Sequence, residues 1–426
     1  MSDQIICGID IGSSKIAVVT AVCNDKSKDI RIIGYSRKPS IGVKKGLIVD
    51  IDKVTQALEE SLDKAERMSG KRINQAYVVV GGPSISSLNS HGVVAVSDPE
   101  GEITQEDVNR AIEAAEAVSL PNHRELIEVL PREYIVNGQN GISNPIGMSG
   151  IRLEVETHII TASSTSLRNI DKVLQHTGVA RQGFVFSGLA SAEAVLSETE
   201  KELGVVVVDI GGGKTDICMY IENAVAYSGS LPVGAKNITN DLAIGLKTTL
   251  GNAERIKLHL SNEFDIDSFL NSKSRKDEKI NPNKLGVLDI REELSVKEIV
   301  NDIIMPRYEE IFQLIGEEIE KSGFAEAIPS GLVITGGGAL SPGLVYIGKK
   351  ILGLPIRVGY PQRITGLIDE AGSPEYAGLV GLILYVKDNI IDDTMEFKNF
   401  DRVLKNISLA SQIKKIKEFF KQFVPK

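Results

Sequence analysis

Hydrophobic and polar positions change their period several times along the first 83 residues. Short apolar runs at residues 5–10, 16–23 and 30–38 predict three antiparallel strands. Over residues 52–68 apolar side chains recur every three or four positions, which predicts an amphipathic helix, and residues 77–80 predict a further strand. We therefore expect one α/β lobe in this part of the chain.

The same order of elements returns after residue 204. Strands are predicted at residues 205–209, 216–221 and 224–230, followed by a helix at 235–244. The turn from Asp10 to Lys15 (DIGSSK) is echoed by the turn from Asp209 to Lys214 (DIGGGK) with the same internal spacing. Such long-period similarity indicates a duplication, so we expect two related lobes.

Two insertions interrupt the lobes. Residues 84–162 are rich in turn residues and contain one predicted helix at 105–118, while residues 245–305 include a polar stretch, 271–284, that we expect to be a solvated loop. The predicted division of the chain is lobe I at 1–83, 163–198 and 366–386, an inserted subdomain at 84–162, lobe II at 199–244 and 306–365, its insertion at 245–305, a linker at 387–407 and a terminal helix at 408–426.

Composition narrows the class of protein. The chain has 426 residues, 42% of them hydrophobic and 25% charged, which predicts a soluble protein of two or more domains. Its three cysteines form no C-x-x-C pair and its five histidines lack metal-ligand spacing, so we expect a reducing cytoplasm and no structural metal. The net charge of −9 argues against nucleic acid as the main partner. No signal peptide is visible, and the longest apolar run, 377–386, is too short to span a bilayer.

The two Asp-Ile-Gly turns have the composition of phosphate-binding loops. Glycine lets backbone amides approach phosphate closely, and an aspartate at the end of a buried strand can hold hydrated magnesium. One such turn alone would equally suit a hairpin with an exposed aspartate. Two matched copies predict a nucleotide site in which Asp10 and Asp209 face each other across a cleft.

A third glycine-rich segment follows the predicted strand that begins at Leu332. Gly336, Gly337 and Gly338 precede an expected helix start, a combination that can support a base and ribose, although glycine-rich strand ends also occur in other α/β folds. A P-loop is excluded because Val208 stands where its first glycine is required, and no dinucleotide-binding G-x-G-x-x-G pattern precedes a helix and a distant acid.

With these motifs in this order, the chain resembles the actin, Hsp70 and sugar-kinase superfamily and, within it, the FtsA family of bacterial division proteins. The resemblance implies a two-lobed actin-like ATPase fold with duplicated RNase H-like lobes and a small inserted α+β subdomain. It also implies ATP with Mg²⁺ as ligands, with magnesium held by Asp10 and Asp209 through water. The residues implied to bind the nucleotide are Asp10, Gly12, Ser13, Ser14, Lys15, Asp209, Gly211, Gly212, Gly213, Lys214, Thr215, Glu254, Lys257, Gly336, Gly337, Gly338 and Ala339.

Three of the implied side chains have plain alternatives. Glu254 and Lys257 match a pair that contacts ribose and base in the superfamily, yet their spacing also suits a solvated helical face. Glu193 matches a position that orients the attacking water, and it could equally be a solvated helix residue. The resemblance therefore implies ATP binding with, at most, weak ATPase activity.

The C-terminal segment differs chemically from the rest of the chain. Residues 405–426 carry six lysines and one glutamate, which is a net charge of +5, so the preceding 404 residues have a net charge of −14. An apolar stripe opposite a lysine-rich face suits the surface of an anionic bilayer, although such a helix could also dock on a protein. The apolar residues are Leu409, Ile413, Ile416, Phe419, Phe420 and Phe423, and the lysines are Lys414, Lys415, Lys417 and Lys421.

The resemblance also implies partners and a location. FtsA proteins attach the tubulin-like division protein FtsZ to the cytoplasmic face of the membrane at the division site, polymerise, and help recruit later division proteins. By resemblance the insertion at 245–305 receives the FtsZ C-terminal peptide, with Arg307 as a candidate contact. Two alternatives stay open, namely the related actin-like subunit of pilus-assembly systems and a phosphotransferase of the same superfamily.

Overall fold

A computed structural model describes residues 4–23, 29–98, 100–264, 277–367 and 371–391. The predicted membrane helix at 408–426 and most of the predicted linker lie outside these described residues. None of the helices within the described ranges is long and apolar enough to cross a membrane.

Lobe I is built on a six-stranded sheet with the order β11-β6-β1-β2-β3-β19. Strands β1 to β3 are antiparallel, whereas β6 runs parallel to β1. Helices α1 and α3 cover one face of the sheet, and α4 and α11 cover the other. The strands are β1 Gln4–Ile11, β2 Lys15–Cys23, β3 Ile30–Pro39, the small pair β4 Val43–Lys44 and β5 Leu47–Ile48, β6 Gln75–Val80, β11 Ala180–Phe186 and β19 Ile364–Gly366. The helices are α1 Ile51–Ser69, α3 Ser164–Thr177, α4 Ser187–Val195, α5 Glu198–Leu203 and α11 Ala377–Val386.

Local chemistry sets the ends of the first helix. The Asp50 side chain accepts a hydrogen bond from the Lys53 backbone N–H at 3.1 Å, which caps the N-terminus of α1. Gly70 adopts a left-handed conformation (φ 65°) and ends the helix. The buried face of α1, which includes Leu58 and Leu62, then packs on the sheet behind the first phosphate loop.

The inserted subdomain has its own four-stranded sheet, in the order β7-β10-β8-β9, with helix α2 packed on it. Thr104 and Asp107 form a reciprocal capping box at the start of α2. The elements are β7 Ser86–Ala95, α2 Gln105–Glu116, β8 Arg124–Val136, β9 Gln139–Ile142 and β10 Arg152–Ser163.

Lobe II repeats the plan of lobe I. Its five-stranded sheet has the order β14-β13-β12-β17-β18, with an antiparallel set at β12 to β14 and with β17 parallel to β12. This match confirms the predicted two-lobed α/β fold. The strands are β12 Val205–Ile210, β13 Thr215–Ile221, β14 Ala224–Leu231, the pair β15 Lys279–Ile280 and β16 Leu294–Ser295, β17 Leu332–Thr335 and β18 Ile356–Val358. The helices are α6 Ala235–Gly245, α7 Leu250–Glu263, α8 Val296–Glu298, α9 Met305–Lys321 and α10 Leu344–Leu352.

Two predicted loops differ from the structure. Within the stretch 271–284, expected to be a solvated loop, residues Lys279–Ile280 form a strand, and Ile280 is buried in the lobe II core. The predicted linker starts too early, because residues Lys387–Ile391 continue α11 as a π-helical turn and Lys387 is buried. Burial of Ile280 in one place, and of the alkyl stem of Lys387 in the other, stabilises regular structure although the local sequence is polar.

The inserted subdomain also contacts lobe II. Ser87 donates a hydrogen bond to the Ser228 carbonyl at 2.6 Å, and the Asn89 amide reaches the Ala226 carbonyl at 3.5 Å. His158, which is 1% exposed, contacts Asn89 Oδ1 through Nδ1 at 2.7 Å and Ser228 Oγ through Nε2 at 3.0 Å. Desolvation lowers the pKa of His158 to about 3, so the imidazole is neutral in this junction.

Candidate nucleotide site

The two phosphate loops have the same backbone turn and touch each other. Gly12 N–H bonds to the Lys15 carbonyl at 3.0 Å, and Gly211 N–H bonds to the Lys214 carbonyl at 2.9 Å. A β-carbon added at Gly212 would lie 1.9 Å from Ser14 Oγ, so the two loops approach each other closely at this glycine. The structure therefore brings both predicted loops to one cleft between the lobes.

Asp10 and Asp209 lie near the ends of the equivalent strands β1 and β12, at this cleft. Desolvation raises the pKa of both carboxyl groups, to about 6 for Asp209, while Lys214 opposes the shift in each case. Asp209 Oδ2 accepts a hydrogen bond from Ser191 Oγ at 2.6 Å. Two desolvated carboxylates at facing loops suit a hydrated Mg²⁺, which takes one or two carboxylates and shares its remaining ligands with water and phosphate.

A third aspartate organises the same cleft. Asp216, 0% exposed, accepts hydrogen bonds through Oδ1 from Gly82 N–H at 2.9 Å and from Ser230 Oγ at 2.6 Å. Its Oδ2 accepts from Ser187 Oγ and pairs with the Lys214 ammonium. These four interactions fix the orientation of the Asp216 carboxyl group beside the loops.

The glycine-rich loop after β17 lies against Asp209. Gly336 has φ 82°, and a β-carbon there would lie 2.2 Å from Asp209 Oδ1. Residues Gly337–Leu340 form a 3-10 turn, and helix α10 begins only at Leu344, so the expected helix start is one turn later than the triple glycine. The predicted adenosine loop thus forms one wall of the cleft, with Ala339 buried beneath it.

Helices α6 and α7 supply a polar cluster on the other side of the first loop. Lys257 Nζ lies 2.8 Å from Glu254 Oε2 and donates to Thr239 Oγ1 at 3.0 Å. Lys236 donates to the Ser13 carbonyl at 2.6 Å and so connects this cluster to the phosphate loop. The structure therefore places Glu254 and Lys257 on the cleft side of lobe II, with Lys257 buried instead of on a solvated face.

Three other predicted ligands have intramolecular partners. Lys15 donates to the Glu375 carbonyl at 2.6 Å and to Glu375 Oε2 at 3.1 Å, and its ammonium lies 3.9 Å from the centre of the Tyr376 ring. Thr215 Oγ1 donates to the Val233 carbonyl at 2.8 Å, so this hydroxyl supports the loop from behind. Ser13 Oγ accepts from Gly46 N–H at 2.8 Å and ties β4 and β5 to the first loop.

Glu193, which was expected to orient the attacking water, lies in a polar cluster with Lys201 and Tyr220. Its carboxylate accepts two hydrogen bonds from Lys201, each 3.0 Å long, and one from Tyr220 OH at 3.1 Å. Tyr220 lies four residues beyond Asp216 on β13, which is about 13 Å at the rise of a strand. Because successive helix positions turn by about 100°, Ser187 and Ser191 face the cleft and Glu193 does not.

Arg307 is also paired within the chain. Its guanidinium contacts both oxygens of Asp241, with the Nη2–Oδ1 distance at 2.9 Å, and it contacts Glu310. The Asp241 hydrogen bond raises the pKa of Arg307, and desolvation opposes that shift. An acidic peptide would have to compete with these two carboxylates for Arg307.

Sequence reasoning missed five polar residues of the cleft. Ser187 and Ser191 are the two polar side chains spaced by four on α4, a helix otherwise made of small and apolar residues and Glu193. Asp216 interrupts the apolar strand β13, and a charged residue inside such a strand signals a buried, paired group. Lys236 and Thr239 gave no comparable signal, because their positions on α6 suit either face.

Comparison with known proteins agrees with this geometry. A family model described as the SHS2 domain inserted in FtsA matches residues 82–161, and one described as cell division protein FtsA matches residues 206–381. Among solved structures, the PilM-PilN type IV pilus biogenesis complex is similar with a TM-score of 0.61 at 16% identity, covering 89% of this chain and 97% of that one. MreB5 of Spiroplasma citri bound to AMPPNP is similar with a TM-score of 0.54 at 13% identity, covering 92% and 99%. These likenesses show the actin-like fold.

Curated relatives match nearly the whole chain. Cell division protein FtsA of Borreliella burgdorferi is 38% identical, with 99% of each chain covered. FtsA of Pseudomonas aeruginosa is 37% identical, covering 90% of this chain and 89% of the relative, and FtsA of Escherichia coli K12 is 33% identical, covering 98% of each. At this identity and coverage, the chain belongs to the FtsA family of cell division proteins.

Proposed function

We propose that this cell division protein binds MgATP between its lobes. The observation that carries the proposal is the pair of desolvated aspartates, Asp10 and Asp209, at two matched and touching loops. When bound, the magnesium ion would neutralise phosphate charge. Loop amides at Ser13, Ser14, Gly212 and Gly213 would meet the phosphates, while Gly336–Ala339, Glu254 and Lys257 would hold the nucleoside.

Magnesium-dependent ATP binding to Asp209→Ala tests this site. We expect the apparent affinity measured with magnesium to fall at least 10-fold, because the variant loses one of two facing carboxylates. Asp63→Ala is the matched control, since this aspartate lies on the exposed side of α1 with its side chain 70% exposed. An unchanged affinity in Asp209→Ala would place the nucleotide elsewhere.

We further propose that the chain attaches FtsZ to the cytoplasmic face of the membrane and assembles with itself and with later division proteins. Its family membership supports a role at the division site. The apolar and lysine-rich stripes of residues 408–426 support the membrane contact. The pilus-assembly alternative is not favoured, because every curated relative reported above is a division protein.

Two binding experiments separate the halves of this proposal. Truncation after Asn406 should abolish cosedimentation with vesicles containing anionic lipid, because it removes the helix and a local charge of about +4. A pull-down with the acidic C-terminal peptide of FtsZ should retain both the full and the truncated chain. Retention of the truncated chain on vesicles would contradict the membrane role, and failure of both chains to bind the peptide would contradict the FtsZ role.

A further inference from the structure

Lys214 crosses the cleft from lobe II to lobe I. Its aliphatic stem passes beside two lobe I glycines, since β-carbons added at Gly46 and Gly82 would lie 3.1 and 3.4 Å from Lys214 Cδ. Its ammonium donates to Ser187 Oγ at 2.9 Å and pairs with Asp216. The side chain is therefore held along its whole length and ends at a defined point in the cleft.

The positive charge of this ammonium interacts with three carboxylates, of which Asp216 is in direct contact. Desolvation lowers the pKa of Lys214, but Asp216, Asp209 and Asp10 together raise it by more, so the group is charged. A cavity beside it is lined by Asp10, Ser84 and Ser166 among others. A cation fixed next to open space is placed to meet an anionic group of a ligand.

The position of Lys214 along the cleft indicates which part of a nucleotide it meets. The glycine-rich loop at Gly336 contacts Asp209, and Asp209 contacts Ser191. Ser187, the partner of Lys214, lies one helical turn before Ser191 on α4. This turn separates the two serines by about 6 Å along the helix axis, in the direction away from Gly336. A phosphate chain that starts at Gly336 and passes Asp209 would therefore reach Lys214 only with its last phosphate.

We propose that Lys214 is the residue that selects a nucleoside triphosphate over a diphosphate. This inference rests on the proposed nucleotide site and adds the origin of its specificity. Asp216 holds the ammonium in place while the site is unliganded. A terminal phosphate would receive a charge-assisted hydrogen bond from Lys214 that a diphosphate is too short to accept.

The test is the ratio of ADP to ATP dissociation constants, measured with magnesium by competition against a fluorescent nucleotide. Lys214→Met keeps the stem that packs on Gly46 and Gly82 and removes the charge. We expect ATP affinity to fall roughly 10- to 100-fold, which is the usual contribution of a hydrogen bond to a charged group. ADP affinity should stay within about 3-fold of the wild type. Lys71→Met, an exposed lysine outside the cleft, is the charge-matched control and should keep the wild-type ratio.

A second variant covers the case in which Lys214→Met does not fold. Asp216→Asn keeps the ammonium and weakens its intramolecular partner, so its preference for ATP should equal or exceed that of the wild type. An unchanged ratio of ADP to ATP dissociation constants in Lys214→Met would overturn the inference. Loss of the preference for ATP in Asp216→Asn would overturn it as well. A wild-type protein that binds neither nucleotide would instead refute the proposed site itself, so the two failures are distinguishable.

Discussion

A buried carboxyl group at the junction of the inserted subdomain and lobe I makes the stability of the protein depend on pH. Glu128 on β8 is 9% exposed and accepts a hydrogen bond from Tyr385 OH on α11 at 3.0 Å. Desolvation raises its pKa from 4.5 to about 8, against the opposing effect of the Tyr385 hydrogen bond. The folded protein therefore binds one more proton than the unfolded chain between these two pH values, and its stability falls as pH rises through them.

The size of the change in the free energy of unfolding follows from the interval between these two pKa values. One pH unit corresponds to about 1.36 kcal/mol for one proton, so the Glu128 contribution falls by about 2.7 kcal/mol between about pH 5.5 and 7.5. Glu128→Gln resembles the neutral carboxyl in shape and does not titrate. The free energy of unfolding of the variant minus that of the wild type should therefore rise by about 2.7 kcal/mol across this interval, since all other titrating groups are shared.

Urea unfolding of both proteins at four or five pH values, followed by circular dichroism, measures this difference. Glu125→Gln on the same strand is the control, because its side chain is 47% exposed and its difference from the wild type should stay nearly constant. A difference for Glu128→Gln that is equally flat would refute the reasoning and show that water or a nearby cation reaches the carboxylate.

Further predictions concern packing and Glu193. Gly381→Ala should lower the free energy of unfolding by more than about 2 kcal/mol, because its β-carbon would lie 1.6 Å from the Ala190 carbonyl oxygen between α11 and α4. Gly251→Ala in α7, where nothing lies within 4 Å of the new carbon, should instead be neutral or stabilise by up to about 1 kcal/mol; thermal unfolding of both variants measures the contrast. Glu193→Gln should leave ATP affinity unchanged and lower stability by about 1–3 kcal/mol, since Lys201 loses its charged partner; lost ATP binding with normal stability would restore a role for Glu193 in the cleft.

The sequence predicted what depends on local pattern and repetition. Apolar runs located β1 to β3 and β6 in lobe I and β12 to β14 and β17 in lobe II, but not β11, β18 or β19. The turns at Asp10 and Asp209 located the cleft, because two matched copies are not expected of two unrelated hairpins. The side of a helix that faces a ligand was not predictable from α4 alone. Ser187, Ser191 and Glu193 all lie on it, and only the packing against β13 decides that the serines face the cleft.

Short elements escaped prediction for a different reason. Strand Lys279–Ile280 consists of two residues in a polar stretch, and it exists because Ile280 reaches the core formed by distant parts of lobe II. Lys387 is buried only because its neighbours in space cover its alkyl stem. Such long-range contacts leave no periodic signal in a window of a few residues.

The contact between the inserted subdomain and lobe II has a consequence for self-association. Strand β14 is the outer strand of its sheet, and an open strand edge can recruit any extended chain. Here Ser87 and Asn89 occupy the main-chain oxygens of Ser228 and Ala226, and Ser87 Oγ accepts the Ser228 N–H at 3.3 Å. This edge is thereby closed to uncontrolled strand addition, so protomers that assemble beside it must recognise one another through side-chain surfaces, which can be specific and reversible.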